Sequence, residues 1–289
     1  MSKFDDLQFK DDFMFGAVMS NPEICKGILE LILNVKIKKI KYIERQKSID
    51  VAPFSKGIRL DIYLADEAET VYSVEMQRKH IKGLPKRVRY YQSINDISLM
   101  EQGGEYDQLN RSIIIFICDF DPFYEKMYQY TFENRCIEKL DLKLEDETVK
   151  IFLNTKGQKG EISQELKDLL AYIGDPQNMS TEPLIMKIDE EIKRVRVDPE
   201  SRREFMLFEV KLNEARVEGE KLGEKRGIAI GKAEGKAEGK AEGKAEGKAE
   251  IITRMLSKMS TAEIAEFLEI PEEEVIKIQE EKNSSSKGK

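Results

Sequence analysis

Two short stretches of this chain alternate apolar and polar residues, and their pairing constrains the fold more than any other feature. In Gly57-Ile58-Arg59-Leu60-Asp61-Ile62-Tyr63-Leu64, Leu60, Ile62 and Leu64 share one face of a strand, leaving Arg59, Asp61 and Tyr63 on the other. In Val71-Tyr72-Ser73-Val74-Glu75-Met76-Gln77, Tyr72, Val74 and Met76 oppose Ser73, Glu75 and Gln77. The polar link Asp66-Glu67-Ala68-Glu69-Thr70 has the length of a hairpin loop. Laying both apolar faces on one core sets Asp61 beside Glu75 on the open face. Adjacent carboxylates repel unless a cation lies between them, and a hard divalent ion such as Mg²⁺ suits oxygen ligands. The pattern is the skeleton of a metal-dependent phosphodiesterase.

A chain of 289 residues has room for one ordinary domain and an appendage. Its single histidine, His80, argues against zinc hydrolase sites, HD-type phosphohydrolases and paired-histidine ribonucleases, which need two or more imidazoles. His80 reads as a surface or phosphate-proximal residue, not a ligand. Cys25, Cys118 and Cys136 lack C-x-x-C spacing and read as reduced core residues of a cytosolic protein. Ser2-Lys3-Phe4-Asp5-Asp6 is charged where a signal peptide is apolar, and the longest apolar run, Ile113 to Cys118, has strand length. A soluble, cytoplasmic protein without membrane contact is expected.

The net charge of −7 opposes nucleic-acid binding by the whole surface. Screening nevertheless confines local fields to about 8–10 Å. The basic run Arg78, Lys79, Lys82, Lys86, Arg87 and Arg89 directly follows the carboxylate pair and forms a phosphate-contact surface beside it.

Residues 9–35 read as helical, first through Phe13, Phe15, Val18 and Met19, then as a second helix started by Asn21-Pro22-Glu23. Ile37, Ile40, Tyr42 and Ile43 suggest a short strand among lysines. After the hairpin, Leu84 to Met100 is helical in pattern, with Val88, Tyr91, Ile94 and Leu99 inward. Gly103-Gly104 breaks the chain, and Ser112 to Asp119 forms a buried strand. The order predicts an α/β domain over residues 1–155, a mixed sheet core flanked by helices. A helical extension follows over 156–218, then a low-complexity Gly-Lys-Ala-Glu repeat over 219–250. A two-helix unit at 251–282 and a disordered tail at 283–289 complete the chain.

In the repeat, each interior glycine costs a helix about 1 kcal/mol relative to alanine. Lysines recur four residues from lysines and glutamates from glutamates, so helical neighbours carry like charges. A solvated spacer is expected there. In the two-helix unit, Ser260-Thr261-Ala262-Glu263 reads as a helix cap. Glu272, Glu273 and Glu274 oppose docking of its second helix into a DNA groove. Self-association or simple packing is the expectation for that unit, with a homo-oligomer formed through the helical C-terminal region.

These residues resemble the PD-(D/E)xK nuclease superfamily, and within it the recombination-promoting nuclease / putative transposase family of bacteria. The resemblance spans roughly residues 4–155 and, more loosely, the repeat and the helical tail. It rests on Phe9-Lys10-Asp11-Asp12-Phe13-Met14-Phe15-Gly16, Arg59-Leu60-Asp61-Ile62, Val74-Glu75-Met76-Gln77, Arg87 to Tyr91, and Gly103-Gly104-Glu105-Tyr106 before a strand. It implies a restriction-endonuclease-like core and an endonuclease that uses Mg²⁺ or another divalent metal to cut DNA. Cleavage leaving a 3′-hydroxyl, in recombination or mobile-element biology, is also implied.

Under that resemblance Asp61 and Glu75 look like the metal-binding acids, and Asp12 like the upstream acid that completes the cluster. The Met76 carbonyl is a candidate third ligand. Gln77 stands where the superfamily usually has lysine. A neutral amide lacks the charge that steadies a developing phosphorane, although it can orient water or touch a phosphate oxygen. Arg87 or Lys86 could reach back to supply the missing charge. The same departure motivates an alternative: a nuclease-like module that binds nucleic acid or a protein partner without cutting. A strand-joining transposase would need specific end recognition, and no sequence-reading element is visible.

Overall fold

The computed structural model describes residues 4–49, 58–100, 103–178 and 180–286. Ser2, Lys3, Gly57 and the end of the expected tail at 287–289 lie outside the described residues. The chain opens with helices α1 (Asp12–Met19) and α2 (Pro22–Leu33). Strands β1 (Ile40–Ile49), β2 (Ile58–Asp66) and β3 (Val71–Gln77) follow, then helix α3 (Leu84–Leu99). Strands β4 (Ser112–Cys118), β5 (Gln129–Phe132) and β6 (Thr148–Asn154) complete the sheet, and helices α4 (Gln164–Gly174) and α5 (Pro183–Val197) come after it. The start of α2 is as its residues dictate: the Asn21 side chain accepts from the Glu23 and Ile24 N–H groups, and Pro22 opens the first turn.

The six strands run in the order β1-β2-β3-β4-β6-β5. The pairs β1–β2 and β2–β3 are antiparallel, β3–β4 and β4–β6 are parallel, and β5 lies antiparallel on the edge. Parallel strands require cover on both faces, and every residue of β4 is buried. On one face, Ile62, Leu64, Val74 and Met76 pack with Phe13, Phe15, Ile28, Leu170 and Ile188. On the other, Tyr63, Ala65, Val71 and Phe116 lie with Leu84, Val88, Tyr91 and Ile94 of α3.

Two expectations change. The face bearing Ser73 and Glu75 is not open, because the apolar stripe of α3 has to be buried and lies on it; Ser73 and Glu75 are 0% and 2% exposed. Leu60 does not share a face with Ile62. It packs in the cluster with α3, whereas Ile62 packs in the opposite one. The switch falls at Asp61, opposite Gln46, whose φ of 52° breaks the regular pleat of β1. Helices α4 and α5, after residue 155, pack onto the same sheet. Leu166, Leu169, Leu170, Ile185, Ile188 and Ile192 join the sheet's own core, and the first compact unit runs from Met1 to Glu209.

Residues 219–250 are helical within α6 (Pro199–Met255), and residues 218–246 are exposed throughout. From Gly231 to Glu250 three of every four residues are lysine, alanine or glutamate, all good helix formers, which carries the helix past its glycines. A second compact unit covers Val210–Lys289. In it, Ile252 at the end of α6 packs with Ile264 and Ala265 of α7 (Thr261–Leu268) and Val275 of α8 (Glu272–Ser286). Ser260 and Glu263 cap α7 reciprocally. Among the described residues no helix is long and apolar enough to cross a membrane.

Candidate active site

The β2–β3 register pairs Ile62 with Val74 and Tyr63 with Ser73, and so brings Asp61 and Glu75 to facing positions. The Asp61 N–H donates to Glu75 Oε1 at 2.9 Å, and the Met76 N–H donates to Asp61 Oδ2 at 3.1 Å. Each carboxylate is thereby held by the backbone of the strand that carries the other.

Helix α3 leaves from Gly83, whose φ of 84° lies in the left-handed region that favours glycine, with Pro85 in its first turn. It runs back across β3. Asn95 donates to Ser73 Oγ at 3.0 Å, and Arg87 reaches the acidic pair. The Arg87 guanidinium donates to Glu75 Oε2 at 3.2 Å, Gln77 Oε1 at 3.1 Å and the Tyr91 hydroxyl at 2.7 Å. It also lies 4.9 Å from the Tyr91 ring centre and 5.6 Å from that of Phe116. The Gln77 amide nitrogen donates to the Lys79 carbonyl at 2.7 Å, which turns its oxygen toward Arg87.

Asp12 begins α1, and its neighbours tie that segment down. Lys10 donates to Asp119 Oδ2 and to the Gly174 carbonyl, each at 2.9 Å, while Arg78 pairs with Asp11. Burial pushes the Asp61 carboxyl up to about 6; Asp12 adds to the rise, and the Met76 N–H, Arg87 and Arg59 oppose it. Burial and then the Asp61 charge hold Glu75 well above the usual carboxylate range, against the Asp61 N–H and Arg87. Asp12 is raised by burial and by Asp11, against Arg78 and Arg59. Carboxyls pushed upward together cluster at functional sites, and a bound cation would relieve all of them.

Among the described residues no three His, Cys, Asp or Glu side chains gather as a ready-made metal cage. The donor set nonetheless fits a hard cation. It is all oxygen, and Mg²⁺ is commonly held by one or two carboxylates with waters and substrate phosphates completing its shell.

Of the residues marked in the sequence, Asp61, Glu75, Gln77 and Arg87 come together, and Asp12 acts on the pair through its charge. Lys86 is exposed, while Arg87 meets Glu75. Lys79, Lys82 and Arg89 are exposed, whereas Arg78 is engaged by Asp11. The structure also engages Lys10, Asp11 and Tyr91, which the sequence pattern does not single out as site residues. The first two stood within the Phe9–Gly16 motif, where their charges were the available signal. Tyr91 read as core, and its hydroxyl carries no sequence signal.

A mixed sheet with two acids facing across a hairpin, under a crossover helix that supplies a cation, is consistent with a restriction-endonuclease-like core. The family model of the PD-(D/E)XK nuclease family transposases matches residues 3–205, and the chain belongs to that family. The match extends through α4 and α5, in step with the first compact unit. No curated protein and no solved structure gives a significant match.

Proposed function

We propose that this chain is a divalent-metal-dependent DNA endonuclease acting in recombination or on mobile elements. The observation that carries the proposal is the facing pair Asp61 and Glu75, cross-held by backbone N–H groups and pushed toward protonation by burial. Asp61 and Glu75 would hold the ion, with the Met76 carbonyl and Asp12 as further oxygen donors. Bound there, a divalent ion supplies Lewis-acid stabilisation of phosphate charge and a lowered pKa for water.

The rest belongs to the chain's own residues. Arg87 offers its guanidinium to charge building on the phosphate, in place of a lysine at position 77. Gln77 accepts from Arg87 and keeps the guanidinium aimed at the pair. Lys79, Lys82, Lys86 and Arg89 position the DNA backbone without reading its sequence. Incubation with supercoiled plasmid tests the proposal: Mg²⁺ should support nicking, and EDTA or Asp61→Ala should abolish it. Identical trace nicking by wild type and Asp61→Ala would remove the enzyme reading.

A second reading has its own support. Both Glu75 oxygens already accept bonds, from the Asp61 N–H and from Arg87, and no lysine stands at position 77. A nuclease-like module that binds nucleic acid or a protein partner without cutting fits those facts. DNA binding unaffected by Mg²⁺, with no cleavage under any divalent metal, would favour it.

A further inference from the structure

Aromatic rings crowd the loops that follow β3 and β4. The Gln77 carbonyl accepts from the Asp119 N–H at 3.0 Å, so the two loops leave the sheet side by side. His80 stands three residues beyond Gln77, with its ring 5.3 Å from that of Phe120 and 5.7 Å from that of Tyr124. Tyr124 is 74% exposed.

Its placement comes from the backbone instead of from burial. The Asp121 carboxylate accepts from the N–H groups of Phe123, Tyr124 and Lys126 at 3.2, 3.0 and 2.6 Å, and from the Tyr130 hydroxyl at 2.7 Å. Tyr124 itself has a φ of 63°, a left-handed conformation that L side chains adopt at a cost. A loop braced in this way holds the ring out toward solvent.

The charge around the rings favours a polyanion. Lys79 and Lys82 are exposed in the same loop as His80. Asp119 is engaged by Lys10 and Lys156 and Asp121 by the bonds just described, and beside Tyr124 the exposed Glu125 is followed by the exposed Lys126. Exposed lysines beside an exposed His80 and Tyr124 offer the chemistry that binds single-stranded nucleic acid, since every base has a π-face to stack. A paired base shows only its edge in a groove and gives such a ring nothing to stack on.

We propose that His80, Phe120 and Tyr124 form a stacking platform for an unpaired DNA base beside the carboxylate pair, so that the substrate carries single-stranded DNA next to the cut. The location of the cut rests on the nuclease reading above; the binding does not.

The test uses the full chain in EDTA and measures anisotropy with a blunt duplex and with the same duplex bearing a short single-stranded arm. A 2-aminopurine in the arm reports stacking. The armed DNA should bind about 10-fold tighter than the blunt form and show quenched fluorescence on binding. Tyr124→Ala should lose about 5-fold to 100-fold on the armed DNA, while Tyr124→Phe keeps the preference. His80→Ala serves as the second variant and should also weaken the preference.

Equal binding of the two DNAs, or an undiminished preference in both alanine variants, would overturn the platform. Binding of an RNA arm as tightly as the DNA arm would overturn the assignment to DNA. Retained arm preference with no plasmid nicking would remove the nuclease reading alone, and nicking with no arm preference would remove the platform alone.

Discussion

Asp61→Asn should stabilise the metal-free protein while destroying its metal response. Burial raises the folded-state pKa of Asp61 from 3.8 to about 6. Because the folded state holds this proton more tightly than the unfolded state, stability falls as pH rises through that window. The cost is absent below about pH 4 and complete above about pH 6, where two pH units correspond to about 3 kcal/mol. Asparagine carries no charge to bury, and its carbonyl oxygen can still accept from the Met76 N–H. For a unit of this size, each kcal/mol shifts the melting temperature by about 2–4 °C, so the variant should melt roughly 6–12 °C higher at pH 8 in EDTA. The gap should shrink toward pH 4.5. Millimolar Mg²⁺ should raise the wild-type midpoint and leave the variant unmoved. Thermal melts with and without Mg²⁺ at both pH values make the measurement. A variant that melts at or below wild type at pH 8, or an equal Mg²⁺ response in both proteins, would refute the reasoning.

Arg87→Ala should lower cleavage by about 10²–10³-fold, the usual effect of removing one transition-state donor, yet leave Mg²⁺ binding by calorimetry intact. Equal cleavage by that variant would leave water orientation by Gln77 as the remaining account of the absent lysine. A fragment of residues 1–209 should fold cooperatively by circular dichroism, and one of 1–155 should not, because it loses Leu170, Ile185, Ile188 and Ile192 from the sheet's core. Cooperative melting of the shorter fragment would show that α4 and α5 are dispensable. Limited proteolysis should cut first within residues 218–246, where no side chain is buried and little opposes local opening. Strong protection there at low protein concentration would point to helix pairing through the glycine and alanine rows.

The hairpin and its acids were legible because strand side chains repeat with period two, and Glu75 keeps that period within β3. What the period cannot show is a break in it. Leu60 and Ile62 look equivalent in sequence, yet the kink at Gln46 and Asp61 sends them to opposite faces. Nor does alternation say what covers a face. Ser73 and Glu75 read as solvated, and only the path of α3 shows that Asn95 and Arg87 meet them. Lys86 and Arg87 were equivalent by charge; their places on α3, about 100° apart around its axis, decide which one meets Glu75. Strands β5 and β6 are not legible in the sequence. The charged loop between them hid the alternation of Val149, Ile151 and Leu153, and a short edge strand has little pattern of its own. The apolar stripes of α4 and α5 were visible, but a stripe does not name the surface it packs on.

Asp61 and Glu75 are proposed to act as one metal-dependent cutting centre. The most direct test is the nicking rate of supercoiled plasmid by wild type, Asp61→Asn and Glu75→Gln, each in Mg²⁺ and in EDTA, with all three proteins shown to be folded by their melts. Nicking by wild type in Mg²⁺ alone, with both variants at the EDTA background, is the predicted result. Metal-independent nicking, or a variant that cuts as fast as wild type, would contradict it.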